Sequence, residues 1–196
     1  VMFSDTNGTL HPASSPPITL SDYSLDMIPG DFNGDSKTDI LVARQAVWLG
    51  DGAGQLTLSA FAVPPILNTA IGDLNGDGRP DIVGLTGQLG NILTAYLGTG
   101  TGFATGFSKE IKNFNYFTVQ SLVVGDLDGN GRDDVAMIMM DNVFGNLITV
   151  SPADTGTAWE EPKYLGLGTA SKKLVAADFD GNGRDDLGYL GDNCRG

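Results

Sequence analysis

Four short stretches set oxygen-bearing side chains on alternate residues: GDFNGDSKTDI from Gly30, GDLNGDGRPDI from Gly72, GDLDGNGRDDV from Gly125 and ADFDGNGRDDL from Ala177. Counted from the first aspartate, positions 1, 3, 5 and 9 are acids or amides in every copy. They are Asp31, Asn33, Asp35 and Asp39; Asp73, Asn75, Asp77 and Asp81; Asp126, Asp128, Asn130 and Asp134; and Asp178, Asp180, Asn182 and Asp186. Position 4 is always glycine, position 6 is Ser36 or glycine, and position 7 is basic, as Lys37, Arg79, Arg132 and Arg184. Hard oxygens at this spacing can all turn inward around a Ca²⁺ ion, with glycines supplying positive φ and a mid-loop carbonyl serving as a further ligand. The position-7 carbonyl then points in, and its basic side chain points outward.

Without a cation, three carboxylates within a few ångströms repel one another and raise their own pKa values. About four Ca²⁺ ions are therefore expected; the wide oxygen count suits Ca²⁺ better than Mg²⁺. A metal-free cluster of Asx turns accounts for one such loop, but four copies in register ask for a common cause. An EF-hand is excluded, because its bidentate glutamate at position 12 is replaced by Val42, Gly84, Met137 and Tyr189.

The elements that must hold these loops follow from their spacing. The first aspartates are separated by 42, 53 and 52 residues. Periods of this size, each with several short strands, are the signature of propeller blades. The expected fold is all-β: one β-propeller domain over residues 1–196, with four-stranded blades and about four repeats beginning near residues 22, 66, 118 and 172. In the third repeat FTVQSLVVGDL, DVAMIMM, NLITVSP and AWEEPKYLG read as strands one to four. The second repeat matches with ILNTAIGDL, DIVGLT, NILTAYLG and FATGFSKEI, and AVWLGDGAGQLTLSAFAV gives strands three and four of the first as a hairpin. Residues 1–21 read as strands three and four of a half-blade, and the last repeat supplies only strands one and two. Pairing the two halves would close a four-bladed ring, a two-fold dimer exchanging halves would have eight blades, or the chain is a fragment of a larger propeller.

A formal net charge of −13 argues against a nucleic-acid backbone or an anionic membrane surface as partner. No apolar run approaches the roughly 18 residues of a membrane span, and no signal peptide opens the chain, so one is absent or already removed. The single cysteine, Cys194, reads as a passive thiol, and the single histidine, His11, as a loop residue in HPASSPP.

These repeats resemble the FG-GAP or VCBS type found in integrin α-chain propellers and in many secreted microbial proteins. All four loops carry the resemblance, and it covers nearly the whole chain. It implies a propeller with Ca²⁺ between the first two strands of each blade, on the face opposite the usual ligand-binding face. The clear Phe-Gly/Gly-Ala-Pro pair is missing from each blade, and the repeats are fewer than is common in the family.

No nucleophile–histidine arrangement, phosphate-cradling loop or transition-metal set accompanies the loops, and twelve of the 24 acids stand at their positions 1, 3, 5 and 9. The chain is therefore expected to bind rather than catalyse, with a carboxylate-based glycosidase or lyase as the lesser alternative. Two loops on the face away from the metal offer aromatics and amides suited to a sugar: KNFNYFT with Asn113, Asn115 and Tyr116, and MDNVFGN with Asp141, Asn142 and Phe144. Phe114, Phe117, Trp48 and Trp159 read as packing residues. The expected partner is a glycan or a cell-surface protein, the expected state a monomer or two-fold dimer, and the alternative role a protein-adhesion or scaffold domain of a larger secreted protein. Loops of modest affinity fill outside the cell and stay empty in resting cytosol, so an extracellular or cell-surface location is expected.

Overall fold

The computed structural model describes residues 2–4, 6–12, 26–87, 90–111, 118–140, 145–150, 152, 155–167 and 171–191. Every element among them is a strand. Strands β1 (Met2–Ser4) and β2 (Leu10–Pro12) form a short hairpin. A first sheet runs β3 (Met27–Gly30), β4 (Asp39–Val42), β5 (Ala46–Gly50), β6 (Leu56–Leu58). The second runs β7 (Leu67–Gly72), β8 (Asp81–Thr86), β9 (Ile92–Gly98), β10 (Phe103–Glu110). The third runs β11 (Thr118–Gly125), β12 (Asp134–Met140), β13 (Gly145–Val150), β14 (Lys163–Gly166). A terminal pair, β15 (Ser171–Ala177) and β16 (Asp186–Gly191), follows. Each sheet is an antiparallel meander in chain order, and each acidic loop joins its first strand to its second.

The second strands explain how the sheets stack. Asp81 to Leu85 and Asp134 to Met139 are buried residue after residue, the mark of a strand covered on both faces. Side chains alternate, so neighbouring residues serve different junctions. At the three junctions, position 10 of the later loop faces the preceding sheet and position 11 of the earlier loop the following one. Leu41 thus meets Ile82 in a cluster with Phe32, Val47 and Ile66. Val83 shares a cluster with Val135, Met137 and Met139, and Ala136 packs with Leu174 and the half-buried Leu187. Position 2 plugs the same junctions: Phe32 stacks edge-on against Phe103 at 5.9 Å, and Leu74 is fully buried. In the terminal pair the equivalent Phe179 is 62% exposed, with no further sheet packed beyond it among the described residues. The inner strands β7, β11 and β15 lie side by side.

Three expectations need correction. The half-blade pairing is not made among the described residues: β1–β2 and β15–β16 are separate two-stranded sheets. Strand β2 is exposed throughout and ends at Pro12, so it brings neither an apolar face nor a full row of donors. The first sheet's outer strand ends at Leu58, because the Ser59 hydroxyl accepts the Phe61 N–H and turns the chain away. In the third sheet the fourth strand shrinks to Lys163–Gly166 behind Pro162, while Trp159 reaches Pro152 through a single bridge.

Candidate metal loops and a polar hub cleft

The four loops share one hydrogen-bond plan. The first aspartate is the hub of each turn: Oδ1 of Asp73 accepts from the N–H groups of Gly76 (2.7 Å) and Asp77 (3.0 Å), and Oδ2 accepts from Gly78 (2.7 Å). Asp31, Asp126 and Asp178 repeat this with their own positions 4, 5 and 6. Position 3 accepts from the N–H of position 5, and position 5 from that of position 7. Such closely wrapped backbone requires positive φ at positions 4 and 6. Glycine supplies it everywhere except Ser36, which is held at φ 65°.

Position 9 closes the loop from below. Asp39 and Asp81 are fully buried and Asp134 nearly so. In all four loops Oδ2 of the ninth residue accepts the position-2 N–H, from Phe32 (2.9 Å), Leu74 (3.0 Å), Leu127 (3.0 Å) and Phe179 (3.2 Å). Oδ1 of Asp39 and Asp81 also accepts from the last glycine of the third strand, Gly50 and Gly98. Burial, then the charges of Asp77 and Asp73, outweigh these donors at Asp81 and push its pKa up to about 6. Asp178 goes the other way: the Gly183 N–H first, then those of Gly181 and Asn182, hold it below the usual carboxylate value.

The donor set fits a hard cation. A carboxylate oxygen that accepts one or two N–H groups keeps lone-pair capacity. Ligands 2.3–2.6 Å from one ion lie within about 5 Å of each other, and ligand oxygens of Asp126, Asp128 and Asp134, and of Asp178, Asp180 and Asp186, approach to within 4.8 Å. In the first two loops position 3 is an amide, and the position-5 carboxylates lean on the basic residue, Asp35 on Lys37 at 3.3 Å and Asp77 on Arg79 at 3.5 Å. The later position-7 side chains lead away from their own loops toward a neighbouring one. Arg132 lies along Gly76 and Arg184 along Gly129, each reaching to the loop before its own.

Position 8 was not singled out by spacing, yet it joins the loops. The Asp133 N–H donates to the Asp73 carbonyl (2.9 Å), and Oδ2 of Asp133 accepts from the Asp73 N–H (2.7 Å). Asp185 holds Asp126 in the same way, at 2.8 and 3.0 Å. Burial, then the neighbouring charges of Asp73, Asp185 and Asp126, push the Asp133 carboxyl up.

A second site lies at the opposite ends of the inner strands. A cleft of about 240 Å³ is lined by Asp26, Arg44, Asn68 and Thr69, among others, and an adjoining one of about 140 Å³ adds Gln120, Ser121 and Lys173. Each inner strand slips register here: between Leu67 and Ala70, between Val119 and Ser121, and between Ser171 and Lys173. Bulges of this kind re-aim side chains, and they concentrate beside functional sites. Arg44 (φ 63°) and Asn68 (φ 52°), two of the three described non-glycine residues with left-handed backbone, both line the cleft. The sugar-binding residues expected from sequence, Asn113, Asn115, Tyr116, Asp141, Asn142 and Phe144, lie outside the described residues.

These features define an all-β repeat protein whose repeats carry an acidic loop between their first two strands. Residues 73–137 match the FG-GAP-like repeat. No curated protein sequence matches the chain. In structure it is similar to the exotype rhamnogalacturonan lyase YesX, at 14% identity and a TM-score of 0.52, over 95% of this chain and 40% of that one. A rhamnogalacturonan lyase of Bacillus licheniformis is similar at 14% identity and a TM-score of 0.50, over 95% and 41%. The chain thus spans about two fifths of the length of these solved chains.

Proposed function

We propose that the chain is an extracellular carbohydrate-binding module of β-propeller form, with structural Ca²⁺ in its acidic loops and an acid-bearing glycan in its hub cleft. Meanders that run outward from adjoining inner strands and pack face to face support the propeller form. Ca²⁺ would be held by the side chains at positions 1, 3, 5 and 9 and by the carbonyls of Lys37, Arg79, Arg132 and Arg184. It would neutralise the crowded acids and lock the loop geometry, and it takes no part in chemistry.

The observation that carries the binding role is the hub cleft. Three bulges and two left-handed residues converge on one polar surface to which all four repeats contribute. Amides and hydroxyls from Asn68, Thr69, Gln120 and Ser121 suit sugar hydroxyls. Arg44 and Lys173 against the single acid Asp26 form a local cationic spot on a chain of net charge −13. That contrast selects a carboxylate-bearing sugar, which a guanidinium can grip with two parallel hydrogen bonds. The two structural neighbours are rhamnogalacturonan lyases, so rhamnogalacturonan is the first glycan to try.

The test is a glycan array that includes uronate-bearing polysaccharides, probed in calcium and in EGTA. Binding confined to acidic glycans, lost in the Arg44→Gln/Lys173→Gln variant at unchanged melting temperature, is expected. Silence on the array with capture of a protein ligand would replace this reading with adhesion. Release of unsaturated sugar product would replace it with catalysis.

A further inference from the structure

Resting on the reading of the loops as calcium sites, we propose that Asp133 and Asp185 are positioning residues that couple the metal sites of neighbouring repeats. Each grips both backbone polar groups of an aspartate whose side chain is the first ligand of the preceding loop. The residue that follows each, Asp134 or Asp186, is the ninth position of its own loop. One peptide unit therefore separates the grip on one site from a ligand of the next. Gly72 and Gly125 make the grip possible: a Cβ on either would overlap the gripping carboxylate. Arg132 along Gly76 and Arg184 along Gly129 add a second strap across the same two junctions.

The first junction is built differently. Position 8 of the second loop is Pro80, which has neither an N–H nor a carboxylate to offer the first loop. The second, third and fourth loops are thus linked in series, and the first stands apart. An ion that fixes Asp134 also fixes Asp133, and with it the orientation of Asp73. The ordering needed at the second site is then partly complete before its ion arrives, which is positive cooperativity.

The four loops can be read separately, because the position-4 N–H of Gly34, Gly76, Gly129 and Gly181 each donates to the first aspartate of its loop. The experiment is a Ca²⁺ titration of the chelated, ¹⁵N-glycine-labelled protein followed by NMR at these amides. Gly76, Gly129 and Gly181 are expected to respond together and more steeply than a single site, with Gly34 on a simple isotherm of its own. Asp133→Ala should raise the Gly76 midpoint roughly fivefold and leave Gly34 in place. Asp133→Asn, which keeps an acceptor oxygen, should recover part of that shift. If Asp133→Ala does not fold, Asp185→Ala removes the other grip, and Gly129 is compared with Gly34. A Gly76 isotherm untouched by the loss of Asp133, or equal shifts in the Ala and Asn variants, would overturn the coupling alone. Four glycines indifferent to calcium would overturn the metal reading beneath it.

Discussion

Asp81 accepts N–H groups from Leu74 and Gly98, yet its burial, and after it the charges of Asp77 and Asp73, leave its carboxylate form disfavoured until about pH 6. The unfolded chain would titrate this group near 3.8. Between these values the folded state holds the proton and the unfolded state does not, so stability falls as pH rises through that window and levels off above it. Asp133, also raised, acts in the same sense. Asp178, held low, acts oppositely and only as pH falls below its unfolded value, outside this window. In EGTA the melting temperature should therefore drop from pH 4.5 to 6.5, and Asp81→Asn should flatten part of that slope. Calcium requires the carboxylate form, so its binding should weaken as pH falls through 6. Identical slopes in the wild type and Asp81→Asn would remove Asp81 as the cause. At this scale positions 1, 3, 5 and 9 were legible as one recurring turn, because local spacing alone sets its hydrogen bonds. Position 8 was not. It reads Thr38, Pro80, Asp133 and Asp185, and the partner that gives Asp133 its role lies sixty residues away.

The second strands β8 and β12 gain their place here from both faces at once. The uninterrupted apolar runs DIVGL and DVAMIMM mark central strands in the sequence itself, since a strand buried on both faces has no polar side to alternate with. The bulges of β7, β11 and β15 were invisible for the opposite reason: a bulge sets two residues against one on a partner strand, and no local pattern records it. The hub cleft went unread with them. Close approach at the ends of these strands makes a direct test. A Cβ at Gly72 would run into Val124 and the Asp133 carboxylate. Gly72→Ala should cost about 2 kcal/mol by overpacking, and the cost should already be present in EGTA, because the clash itself involves no ion. An unchanged melting temperature would mean that the junction yields where the structure shows it closed.

The molecule as a whole carries a formal charge of −13, and four divalent ions would bring it to −5. Ligand that binds only the native state adds about 1.4 kcal/mol per site at tenfold excess over Kd, so four sites supply about 6 kcal/mol, comparable with the entire stability of many domains. Melts in millimolar calcium and in EGTA should therefore differ widely, and Asp77→Ala should lose one ion by elemental analysis and part of the difference. Coincident melts with no bound calcium would end the structural role of the ion. The order in which sheets stack was legible from the repeat, while the ring closure, one of three arrangements the half-blades left open, is not made among the described residues, where β2 is exposed and ends in a proline. The junctions also bear on descent. A duplicated unit carrying both its leading glycine and its position-8 aspartate could be inserted after the second or third loop, and the copies would recognise one another without further change. After the fourth loop it could not. Ala177 places a methyl group where Gly72 and Gly125 leave room for the carboxylate, so any sheet that docks there must descend from a repeat of the Pro80 kind, or have lost its aspartate first.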